Sequence, residues 1–226
     1  SWIDGDIRFA RPDWVGETLQ KLQHYKVVQM FSQAVDLSPN FEILKTHTGF
    51  MYCYKNNIPN KKKKRINLPY YEEETETGSY WHPGFAWAAR RESFDDLGTL
   101  VDWAILGGAD MFMAYALVGQ LDNRVMPKSL GKSGIRYLKE WQNRAEKYVQ
   151  RNVGYIDGLL LHYWHGKKVD RRYNDRGQIL IEEKFDPEID LKRDWQGLWN
   201  LTERSFNLRD GIRKYFTQRN EDSIDL

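Results

Sequence analysis

The sequence has 226 residues, 41% of them hydrophobic and nine of them Trp, which is enough for a sizeable buried core and excludes disorder as a global state. Lys and Arg number 34 against 32 Asp and Glu, a net charge of +2 that excludes a histone-like coat protein, so any affinity for nucleic acid must come from a local patch. No run reaches the roughly 18 apolar residues of a membrane span, no basic-then-apolar signal sequence is visible, and the single Cys53 offers no internal disulfide, so the expectation is a cytoplasmic protein.

Trp2-Ile3 runs directly into Asp4-Gly5-Asp6-Ile7-Arg8-Phe9. An apolar run interrupted by acids reads as a buried strand that delivers carboxylates to a loop, where open α/β sheets place their ligands. A buried strand is paired on both sides, so these residues are expected to be the later part of a larger domain. Ile3 to Phe9 should then lie at an exposed edge or pair with a segment outside this sequence. Pro12 opens a predicted helix from Asp13 to Tyr25, with Trp14, Leu19 and Leu22 on one side. Lys26 to Phe31 reads as a buried strand. Asp36 to Ser79 reads as a long irregular stretch, carrying the run Lys61-Lys62-Lys63-Lys64-Arg65 and then Glu72-Glu73-Glu74. In Tyr80 to Arg90 a turn at Pro83-Gly84 leads into an apolar strand, in which alternation sends Phe85 and Trp87 to the core. Glu92 to Leu97 predicts a short helix, and a second helix is expected from Asp110 to about Gln120 with Asp110 as its N-cap. Ser133 to Asn152 carries the clearest helical period, with Ile135, Leu138, Trp141 and Ala145 apolar, and Ile156 to Tyr163 reads as an apolar strand. From Asp186 onward the chain is charged, with helix expected around Gly197 to Asn200 and from Asn207 to Gln218. The fold class is therefore α/β, with residues 1–185 as the chemical part and 186–226 as a C-terminal helical extension.

Four groups carry chemistry. Asp4-x-Asp6 suits a divalent cation that bridges a diphosphate, because hard cations take carboxylate oxygens held on one short segment; a solvated turn at a strand end is the plainer alternative. His162 and His165 stand three residues apart after an apolar strand, a spacing at which two imidazoles can converge on one cation, although packed and hydrogen-bonded histidines are common. One carboxylate with two imidazoles suits Mn²⁺ better than Mg²⁺. In Gly107-Gly108-Ala109-Asp110 the glycines permit close backbone approach to a bound group, and Asp110 is either a helix cap or a general base that takes a proton from an acceptor hydroxyl. Trp81 and His82 are the aromatic candidates for stacking on an acceptor. The run Lys61 to Arg65 either tracks a phosphate backbone or forms a solvated loop balanced by Glu72 to Glu74.

Taken in order, Asp-Gly-Asp at a strand, Gly-Phe-Ala-Trp, Gly-Gly-x-Asp and His-x-x-His resemble a metal-dependent glycosyltransferase of the GT-A fold. The pattern is similar to the C-terminal catalytic region of the galactosyltransferase-like group and to bacteriophage glycosyltransferases, over about residues 4–166. The resemblance implies a GT-A-like mixed sheet flanked by helices, without the nucleotide-binding strands that precede Asp-x-Asp in that fold, which the same or another chain would supply. It implies a cation, Mn²⁺ or Mg²⁺, on Asp6, His162 and His165, with Asp4 near the ribose or reaching the metal through water. Arg171, Arg172 and Arg176 fall where basic residues of a flexible loop hold the diphosphate. Asp110 takes the place of the catalytic base, with Trp81, His82, Gly107 and Gly108 toward the acceptor. Ala109 departs from the family, in which an acidic residue commonly precedes the base. The implied activity is transfer of a sugar from a nucleotide-sugar donor to a hydroxyl of a saccharide or of hydroxymethylated pyrimidine in DNA, with inversion or retention. The competing reading is a non-catalytic module that binds nucleic acid or glycan.

Overall fold

A computed structural model describes residues 1–60, 80–122, 126–173 and 175–225. These form mixed sheets flanked by helices, as expected for the α/β class. The chain opens with β1 (Trp2–Ile3) and β2 (Ile7–Phe9), and α1 (Trp14–Leu22) follows. Trp14 and Leu22 of α1 pack inward, whereas Leu19, expected on the same face, is exposed. β3 (Val27–Gln29) is fully buried. β4 (Gln33–Leu37), β5 (Ile43–Gly49) and α2 (Phe50–Lys55) then occupy much of the stretch read as irregular. The pattern there is masked because the outer end of β5 is exposed at Ile43 and Leu44, and because α2 is too short to show a period.

β6 (Trp81–His82) and β7 (Ala86–Ala89) flank the Pro83-Gly84 turn. Next come α3 (Arg91–Leu97), α4 (Ala109–Leu117) and α5 (Gly131–Arg144), the last continued by a π-helical turn over Ala145–Val149. β9 (Leu159–His162) lies within the strand expected over Ile156 to Tyr163, and β8 (Val153–Tyr155) is a further strand just before it, in residues for which no element was expected. α6 (Gln178–Glu182) and α7 (Pro187–Asp190) are short. β10 (Leu191–Arg193) pairs with β11 (Trp199–Leu201), so Gly197 to Asn200 is a hairpin turn and strand start rather than helix; the side chain of Asp194 accepts from the backbone N–H groups of Gln196 and Leu198 and closes that turn. α8 (Phe206–Thr217) is capped by Ser205, whose Oγ accepts from Leu208 N.

Two sheets position the chemistry. In the first, ordered β1-β7-β3-β8, alternate residues face opposite cores. Val27, Trp87 and Val153 join the larger cluster, with residues of α4 and α5, while Val28, Ala86 and Ala88 face the smaller one with α1. Burial on both faces explains the apolar Val27 and Val28 of β3, and the buried Gln29 that follows them is satisfied by donating to His82 O and accepting from Met51 N. The second sheet is ordered β2-β9-β4-β5-β6. β1 and β2 are each at the edge of their sheet, the edge position expected for Ile3 to Phe9, and the Asp4-Gly5-Asp6 link crosses from one sheet to the other. Leu191, Leu208 and Tyr215 belong to the larger cluster, so residues beyond 186 pack on the same core. Among the described residues no helix is long and apolar enough to cross a membrane.

Candidate metal centre

Register brings the acidic link and the histidine pair together. Ile7 of β2 is the antiparallel partner of His162 on β9, and Tyr163 N donates to Asp6 O at 2.8 Å. Asp6 therefore lies beside the end of β9, from which His165 turns back. One ligand atom from each of Asp6, His162 and His165 lies within 4.8 Å of the other two. Asp6 Oδ2 is 3.6 Å from His162 Nε2 and 2.7 Å from His165 Nδ1. His165 Nδ1 is nevertheless buried without a hydrogen-bond partner, so its short approach to the carboxylate lacks hydrogen-bond geometry. A nitrogen so placed suits a cation shared with the carboxylate, and the donor set of one oxygen and two imidazoles fits a borderline divalent ion.

The electrostatics concentrate opposite charges here. Burial pushes the Asp6 carboxyl up, but hydrogen bonding and charge from His162, with a contribution from Arg171, hold it below its ordinary value. Burial pulls His162 down, and its contacts with Asp36 and Asp6 outweigh that and raise it. Asp4 is lifted to about 6, first by burial and then by the negative charges of Asp6 and Asp110. The charge of Asp110 on α4 thus reaches Asp4 in the link that carries Asp6.

Asp36, together with His47 and Lys168, was not anticipated from sequence. Asp36 is 4% exposed on β4, and its carboxylate meets His162 Nδ1 and His47 Nε2, each at 2.7 Å, and the ammonium of Lys168. Burial pushes it up, yet His162, His47 and Lys168 together hold it well below the usual carboxylate range. The available signal was an acid inside the apolar run Gln33–Leu37, because a buried charge requires partners.

At the start of α4, Gly108 rather than Asp110 is the N-cap, and no side chain caps that helix. Asp110 is the second helical residue; burial raises its carboxyl, opposed by the N–H of Met111 and the charge of Arg176. A Cβ on Gly84 would sit 2.9 Å from Asp110 Oδ2, so the bare glycine is what admits the carboxylate. His82 stacks on Phe85 (4.2 Å between centroids, 8° between planes), accepts weakly from Gly84 N through Nδ1, and is held well below its ordinary pKa by burial. Phe85 and Trp87 are in the core, as expected. Trp81 is not a free stacking platform: pairing of β6 with β5 sets it against Phe50 and Tyr54, and its Nε1 donates to Ile58 O.

The three arginines separate. Arg171 acts on the charge of Asp6, and its buried Nε has no hydrogen-bond partner. Arg176 crosses Gly107, where a Cβ would meet its guanidinium at 2.7 Å, and its charge reaches Asp110. Arg172, whose backbone is left-handed (φ 47°), instead pairs with Asp175 in a turn, through contacts of 2.9 and 2.8 Å. Lys61 to Arg65 lie outside the described residues. Comparison of the chain with protein-family models, with curated proteins and with solved structures gives no match.

Proposed function

We propose that the chain carries the cation-binding and acceptor side of a GT-A-type glycosyltransferase, which moves a sugar from a nucleotide-sugar donor to an acceptor hydroxyl. The observation that carries this reading is the convergence of Asp6, His162 and His165, from segments more than 150 residues apart, close enough to Asp4 that the charges of Asp6 and Asp110 both act on its carboxyl. Asp6, His162 and His165 would hold the cation, and two imidazoles favour Mn²⁺ over Mg²⁺. A bound cation supplies neutralisation of the charge that builds on the leaving diphosphate, the electrostatic contribution that usually dominates such transfers. Arg171, whose charge acts on Asp6 and whose Nε is unpartnered, and Arg176, across Gly107, would hold and orient that diphosphate.

Asp110 would receive the proton of the acceptor hydroxyl as its oxygen attacks the anomeric carbon. The bond from that carbon to the diphosphate oxygen breaks, and the nucleoside diphosphate leaves with the bonding pair, inverting the centre. Burial raises the Asp110 carboxyl, which makes it a better base than an exposed aspartate. We propose a saccharide or a hydroxymethylated pyrimidine in DNA as acceptor, the latter through Lys61 to Arg65 along the phosphate backbone.

A panel of nucleotide sugars, assayed for release of nucleoside diphosphate with Mn²⁺ and with a chelator, tests the reading. One donor should be consumed in a Mn²⁺-dependent manner, and Asp6→Asn should abolish its consumption. If no donor is consumed or bound, while DNA or glycan binds equally well in the presence of chelator, the protein is a binding module instead.

A further inference from the structure

Asp36 is the direct partner of His162 in the parallel pairing of β4 with β9, as Ile7 is on the opposite side of the same residue. An ionised carboxylate is acceptor-only. At 4% exposure it cannot turn to water, so each close neighbour must donate to it: Nδ1 of His162, Nε2 of His47 and the ammonium of Lys168. If Nδ1 of His162 carries the hydrogen, its lone pair is on Nε2, the nitrogen that faces Asp6 at 3.6 Å.

Resting on the cation site described above, we propose that Asp36 is a positioning residue. It fixes the ring orientation and the Nδ1–H tautomer of His162, so that Nε2 is presented as a ligand. His47 and Lys168 hold the second carboxylate oxygen, which stops the carboxylate rotating away from His162. His47 is itself packed against His82 (4.6 Å between centroids) and Phe85, so the support extends to the turn that borders Asp110. Loss of such a carboxylate partner behind a ligating imidazole costs metal affinity on the order of 10–100-fold.

The test combines Asp36→Asn with a spectroscopic readout on the unaltered protein. Asparagine keeps the shape but presents an amide donor toward at least one of three donors, so it cannot enforce the tautomer. Mn²⁺ titration should show affinity lower by about 10–100-fold in Asp36→Asn than in the wild type. Imidazole ¹⁵N shifts of the metal-free wild type in alkaline buffer should show His162 protonated on Nδ1 and bare on Nε2, and Asp36→Asn should show a mixture. Wild-type affinity in a folded Asp36→Asn overturns the role of Asp36, as does an Nε2–H form of His162 in the wild type. Should Asp36→Asn fail to fold, the wild-type tautomer decides alone. Absence of Mn²⁺ binding to the wild type is a separate result, which overturns the cation reading and this inference with it.

Discussion

Gly84→Ala places a methyl group against the proposed base without touching the cation ligands. The added Cβ would lie 2.9 Å from Asp110 Oδ2 and 3.3 Å from His82 Cε1, where ordinary contact begins at 3.4 Å. His82 is stacked on Phe85 and cannot retreat, so the Asp110 carboxylate must move by about half an ångström. Misplacing a reacting group by about 1 Å costs on the order of 10²-fold in rate, so a shift of half that size predicts roughly tenfold. The assay is nucleoside diphosphate release at saturating donor, acceptor and Mn²⁺, alongside a Mn²⁺ titration of the same preparation. The expected outcome is kcat reduced about tenfold with Mn²⁺ affinity within twofold of wild type. A wild-type kcat would refute the claim that the Asp110 position governs transfer, and an equal loss of Mn²⁺ affinity would show that the substitution acts through the cation site instead.

Asp110→Asn should reduce transfer by a factor of roughly 10² or more while donor and Mn²⁺ binding persist, since a base acts in the transition state; transfer at wild-type rate would leave Asp110 a structural residue. The net raised pKa of His162 means that the metal-free protein binds a proton there which the cation must displace, so Mn²⁺ affinity should rise with pH past the Asp4 value of about 6 and on through the raised His162 value, with protons released on binding. The stabilisation of the metal-free fold by protonated His162 has the opposite dependence: it is full below the unfolded value of 6.5 and is lost as pH rises through the folded value, which thermal melts across that range would detect. Replacing Lys61 to Arg65 with Ala should flatten the salt dependence of duplex DNA binding, whose slope is roughly −0.9 per phosphate neutralised, and leave donor hydrolysis unchanged; unaltered activity on DNA would point to a saccharide acceptor.

Residues whose environment is set locally were legible in the sequence. The apolar start of β3 and the helical period of α5 identify themselves, and Asp6, His162 and His165 stand out by type and spacing, an acid pair beside an apolar run and two imidazoles three residues apart. What was not legible depends on pairing between distant segments. β5 has an exposed outer end and takes its strand character from β4 and β6, and that same pairing sets the half-buried Trp81 against Phe50 at the core's margin. Asp36 becomes a partner of His162 only through a parallel register joining residues 126 positions apart, and nothing in its own neighbourhood names that partner. Asp110 misled in a simpler way: the acid nearest a helix start is the usual cap, yet α4 starts two residues earlier, with Gly108 at the N-cap in a left-handed conformation.

The claim on which the rest depends is that Asp6, His162 and His165 hold one cation. Calorimetric titration of the wild type and of His165→Ala with Mn²⁺ tests it most directly, because His165 Nδ1 is the ligand atom that has no hydrogen bond to lose. The expected result is one Mn²⁺ per chain in the wild type and no measurable binding in a folded His165→Ala. Equal binding by the two proteins, or none by the wild type, would contradict it.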